Sequence, residues 1–113
     1  MRDDRQRLLD MLEAIEKIDR YVNAESGFHP SPDEELLDVW VIHHLQIIGE
    51  AASKLSVEFR QAHPEVSWGG MIGMRQVLVH GYFETNSTIV WKVVQNDLPI
   101  LKEQLTAMLA QMK

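Results

Sequence analysis

The sequence predicts an all-α protein: a single domain over residues 1–113, built as an up-and-down bundle of four to five helices and homodimeric. Three observations predict it. Apolar residues recur at three- and four-residue steps near both ends of the chain, the period of a helix packed on one face. No segment alternates apolar and polar residues over a useful length, so strands are not expected. The breaks between periodic stretches are short, as they are between neighbouring helices of a bundle. A chain of 113 residues, 45% hydrophobic and 25% charged, suffices for one core and not for two.

The first helix is expected over residues 3–24, where Leu8, Met11, Leu12, Ile15, Ile18 and Val22 form one apolar stripe and charged residues form a solvated face. Ser26 to Pro30 breaks the pattern. Ser31 then suits an N-cap, Pro32 the first helical position and Glu34 a capping box. The second helix is expected to run to about Phe59. It is apolar on more than one side, with Leu36, Val39, Trp40, Ile42, Leu45 and Ile48 among its residues. A helix of that kind is either central or shared with a second subunit, and in so short a chain the second subunit is attractive.

His63 to Ser67 makes the next break, with Ser67 capping a third helix over residues 68–80. Gly69, Gly70 and Gly73 each cost this helix about 1 kcal/mol relative to alanine, and their expected return is close packing against a neighbour. Gly81 suits the position just past the helix end. Asn86 or Ser87 can cap the last helix, whose Leu98, Leu101, Leu105, Met108 and Met112 make a bundle seam. Pro99 inside that pattern should kink or divide it near Asn96.

Composition bounds function loosely. A net charge of −6 argues against gripping nucleic acid by bulk charge and leaves a local cleft open. Without cysteine there are no disulfides or thiolate metal sites. No apolar run approaches the length of a membrane span, and the N-terminus lacks a signal peptide's layout, so a cytoplasmic protein away from membranes is expected. No spacing resembles a metal site, and no cofactor motif is present.

The polar residues that stand out lie in MRQVLVHGYF, from Met74 to Phe83. Arg75, His80 and Tyr82 sit among Met, Val and Leu, where polar tips are costly unless partnered. Residues five apart on a regular helix diverge by about 140°. Arg75 and His80 can therefore act together if the helix ends at His80 or if a symmetric second copy completes the site. The alternative is a structural network, in which Arg75 pairs with Glu50 as a buried anchor and His80 bonds a carbonyl. His43 and His44 are adjacent and point about 100° apart, so they cannot chelate one ion; either can line a cleft. His29 and His63, each before a proline, fit structural or exposed positions. Trp40, Trp68 and Trp91 fit core positions better than base-stacking ones.

These residues also resemble a family. The R-x4-H-x-Y pattern at Arg75, His80 and Tyr82 matches the motif of the HEPN superfamily, in particular HepT-like ribonuclease toxins. IIGEAASKLS at Ile47, HPEVSW at His63, IGMRQVLVHGYF at Ile72 and VWKVVQNDLPILKEQL at Val90 resemble that family's blocks in its order. The resemblance implies an all-α homodimer whose motif residues meet between subunits. It implies a metal-independent endoribonuclease acting on RNA, tRNA or mRNA, by attack of the 2′-hydroxyl. Arg75 and His80 become the catalytic pair, with Glu50 and Gln76 supporting. Gln76 departs from the family, which usually has asparagine there. The resemblance further implies a minimal nucleotidyltransferase antitoxin that silences the toxin by adding AMP to Tyr82, in a homodimer alone or in a larger complex with that enzyme. The competing reading is a non-catalytic HEPN module that binds nucleotide or RNA alongside a nucleotidyltransferase.

Overall fold

The computed structural model describes residues 3–22, 34–80 and 92–112, without the side chains of residues 21–22, 34–38 and 77–80. The described residues form five α-helices: α1 (Asp4–Val22), α2 (Glu34–Ser53), α3 (Val57–Ala62), α4 (Trp68–His80) and α5 (Leu98–Gln111). None is long and apolar enough to cross a membrane. The expected caps at Ser31, Asn86 or Ser87, the end signal at Gly81 and the placement of Trp91 lie outside the described residues.

α1 starts where Asp3 and Gln6 satisfy each other's amides, Gln6 N–H donating to Asp3 Oδ1 at 2.9 Å and Asp3 N–H to Gln6 Oε1 at 3.0 Å. Its stripe does what its spacing predicts, with Leu8, Met11, Ile15 and Ile18 fully buried. They meet Val41, Leu45, Ile48 and Ala52 of α2 and Leu98, Leu101, Leu105 and Met108 of α5 in one core. α2 is the central helix, packed on α1 and on α4, while α5 closes over α1. At 25 cal/mol per Å² such side chains each contribute about 1.5–3 kcal/mol.

α2 stops at Ser53 instead of continuing to Phe59. The Lys54 and Leu55 amides tighten onto Ala51 and Ala52, and Ser56 turns extended as the N-cap of α3, its hydroxyl accepting from the Phe59 amide. The cause is distant in sequence. Asp4, at the start of α1, accepts from the Ser56 amide at 2.9 Å and from its hydroxyl at 2.8 Å. Apolar spacing continues through Leu55 and Phe59, so periodicity could not reveal this break. The contact also sets α1 antiparallel to α2, because the beginning of one lies beside the end of the other.

The α3–α4 turn is held by aromatic packing. Trp68 is buried and donates its indole N–H to the His63 carbonyl at 3.0 Å, while the His63 and Phe59 rings stack 4.5 Å apart. His63 is thus structural. Before α5, residues Val93–Asp97 widen into a π-helical turn, closed by the Leu98 amide on the Val93 carbonyl. Pro99, near the start of α5, cannot donate and crowds the carbonyl four residues back, which accounts for the interruption where Pro99 predicts it.

The glycine expectation needs correction. Gly69 and Gly73 are exposed, with nothing near enough to touch an added Cβ, and Gly70 faces only its own cap residue Ser67. The close approach of α4 is to Gly49 of α2. A Cβ there would lie 2.6 Å from Arg75 Cβ and 2.9 Å from the Met71 carbonyl oxygen. Gly49→Ala should therefore destabilise the fold in urea, its overpacking of about 1–3 kcal/mol exceeding a propensity gain of about 1 kcal/mol. Gly73→Ala should stabilise by up to about 1 kcal/mol. Ser56→Ala should lower stability by about 1–2 kcal/mol through the lost cap and Asp4 contact.

Candidate functional site

Arg75 lies on α4, five residues before His80, on the face turned to α2. Because Gly49 has no side chain, the Arg75 stem crosses it, with Cδ 3.4 Å from where a Cβ would be. This carries the guanidinium to the next residue of α2, where Nη2 meets Glu50 Oε1 at 2.9 Å. The other Glu50 oxygen meets Lys54 Nζ at 3.3 Å. The expected anchor is present, but not as a buried pair: the Arg75 side chain is 32% exposed and that of Glu50 42%. Pairs this exposed contribute only about 0–1 kcal/mol. The contact orients Arg75 more than it stabilises the fold, and the guanidinium remains partly exposed.

Arg75 opens onto a cleft of about 430 Å³ between α1 and α2. From α2 the cleft receives His43 and Glu50, seven residues apart on one face; from α1 it receives Arg7, Asp10 and Lys17. His43 is exposed there. His44 is buried and belongs to the floor, its Nδ1–H donating to the Trp40 carbonyl at 2.9 Å. A carbonyl only accepts, so this bond fixes the tautomer. Trp40 is 40% exposed, against the expectation of a core position, and tilts over His44 at 4.4 Å.

The remaining candidates are placed differently. Gln76 is exposed and is not part of the cleft wall. His80 is the last described residue of α4, and the helix end expected after it lies outside the described residues. The intervening backbone is α-helical, which keeps Arg75 and His80 about 140° apart around the axis and about 7.5 Å apart along it. The His80 side chain and all of Tyr82 lie outside the described residues. Reading the sequence for chemistry passed over Gly49, Arg7 and Lys17. A signal existed for the last two, since Arg7, Asp10, Ala14 and Lys17 recur at helical steps and share one face.

Comparison with known proteins identifies the family. The family model described as ribonuclease HepT-like matches residues 11–108. A protein of Thermococcus cleftensis described as "Probable ribonuclease HepT" is 38% identical over 95 residues, covering 84% of this chain and 86% of that protein. A protein of Methanocaldococcus jannaschii described as "Putative RNase MJ1380" is 31% identical over 104 residues, covering 92% and 94%. No solved structure matches the chain significantly. With nearly all of its core-forming sequence inside the match, the chain belongs to the HepT-like family of the HEPN superfamily.

Proposed function

We propose that this protein is a metal-independent endoribonuclease, the toxin of a toxin–antitoxin pair, in which Arg75 and His80 carry the chemistry. The observation that carries the reading is the family match over residues 11–108, which takes in the motif at Arg75 and His80. RNA supplies its own nucleophile. The 2′-oxygen attacks phosphorus as its proton is removed, a 2′,3′-cyclic phosphate forms, and the departing 5′-oxygen takes up a proton. His80 suits the proton transfers near neutral pH. Arg75 offers a planar, permanently charged fork to the phosphorane oxygens, and its partial exposure beside Glu50 supports that role.

A single subunit offers one such histidine, and two proton transfers are needed. In a twofold dimer, one His80 serves as base and the other as acid. The exposure of Val39 and Trp40 on α2, at 51% and 40%, supports a second subunit against that helix. Glu50 acts as a positioning residue, since it touches the guanidinium and not the substrate. Tyr82, two residues past His80, is the site at which a partner nucleotidyltransferase adds AMP. The adduct adds bulk and negative charge two residues past His80, opposing phosphate entry.

Total tRNA incubated with chelator should be cleaved by the wild type, and Arg75→Ala and His80→Ala should each lose about a hundredfold or more in rate. Equal cleavage by all three would reject the site. Glu50→Ala should lose up to about a hundredfold by misplacing Arg75, with substantial recovery in Glu50→Gln, which still accepts from the guanidinium. Coexpression with a neighbouring nucleotidyltransferase should yield an AMP-mass adduct on Tyr82, and Tyr82→Phe should escape silencing.

A further inference from the structure

The cleft between α1 and α2 extends well beyond Arg75, and the catalytic reading uses none of that extension. Its cations are arranged along its length. The Asp4–Ser56 contact puts the start of α1 beside the end of α2. Arg7 therefore lies toward the Glu50–Arg75 end, and Lys17, about 15 Å further along α1, lies toward the His43 end. Arg7 Nε is buried and has no hydrogen-bond partner among the described residues, and Arg7 forms no ion pair with any of them. A buried donor without a partner is unfavourable, and the guanidinium that carries this one lines the cleft. Lys17 meets only Glu13, at 3.5 Å, with both side chains well exposed at 40% and 65%. That contact is weak and readily exchanged for a phosphate.

We propose that this cleft is a binding subsite for the RNA strand flanking the cut, in which Arg7 and Lys17 each hold a phosphate and His43 contacts a nucleotide at the Lys17 end. The proposal rests on the ribonuclease reading for the identity of the ligand. The rest of the lining fits a nucleotide. Ala14 and Ile47 give the floor apolar surface, suited to the face of a base or sugar. Glu13 stands among the cations as an acceptor for ribose hydroxyls and exocyclic amines. The exposed imidazole of His43 can stack or hydrogen-bond. Three cations, Arg7, Lys17 and Arg75, share the cleft with three carboxylates, Asp10, Glu13 and Glu50, so its lining is formally neutral in a chain whose net charge is −6. Binding by local contacts overcomes an overall charge that would otherwise repel RNA.

The test is binding of a fluorescent 2′-O-methyl oligonucleotide, which cannot be cleaved, to the full chain over a range of salt. Arg7→Gln and Lys17→Gln should each weaken binding by about tenfold and flatten the salt slope by about 0.7 per lost phosphate contact. His43→Ala should weaken binding and leave the slope alone. Arg20→Gln makes the same charge change at an exposed position outside the cleft and should alter binding less than twofold. Arg7→Lys, which preserves the charge at a half-buried position, should retain most of the affinity if the loss in Arg7→Gln is a ligand effect and not misfolding. Arg7→Gln and Lys17→Gln binding as well as Arg20→Gln would overturn the proposal. The two readings fail separately. Binding that depends on Arg7 and Lys17 without cleavage of unmodified RNA supports the subsite and rejects the ribonuclease. Cleavage that depends on Arg75 with binding indifferent to Arg7 and Lys17 does the reverse.

Discussion

The absence of one side chain governs the rest of the site. At Gly49 the backbone of α2 comes so near α4 that any Cβ would collide with Arg75 Cβ and the Met71 carbonyl. Two helices meeting this closely have little freedom to slide, because the contact is between backbone and side-chain stem and not between flexible tips. Arg75 is thereby delivered to Glu50, the very next residue on α2. The ion pair alone is too exposed to hold two helices together. Packing sets where the guanidinium arrives, and Glu50 settles only which way it faces.

Much of this was legible in the sequence, and the remainder was illegible for physical reasons. Stripes such as Leu8–Met11–Ile15–Ile18 and Leu98–Leu101–Leu105–Met108 gave their helices and their buried faces because period and burial are the same fact seen twice. Pro99 announced its interruption because the missing N–H acts locally. The end of α2 did not announce itself, since Asp4 imposes it from 52 residues away. Close packing was expected at the glycines of α4, where three stand together, and it occurs at the single glycine of α2. A glycine shows that close approach is possible; only the partner surface shows that it happens. Glu50 was rightly paired with Arg75, and its exposure, like that of Trp40, depends on what covers α2, which spacing alone does not reveal.

The charge distribution reconciles an acidic chain with the nucleic-acid substrate proposed for it. Long-range attraction is set by net charge and is screened within about 10 Å at moderate salt. Contact affinity is set by the few groups that touch phosphate. Here acids and bases are interleaved along α1, and Arg7 and Lys17 share one cleft with Arg75 and with Asp10, Glu13 and Glu50. Such a design favours binding by fit over capture by field.

The central claim is chemical: RNA supplies the nucleophile, and the chain supplies a fixed cation and a proton carrier. The fate of the phosphate tests that claim more directly than any loss of activity. End analysis of RNA cleaved by the wild-type protein in the presence of chelator should find a 2′,3′-cyclic phosphate on one fragment and a 5′-hydroxyl on the other. A 3′-hydroxyl opposite a 5′-phosphate would mean that water and not the 2′-oxygen attacked, and would contradict the account.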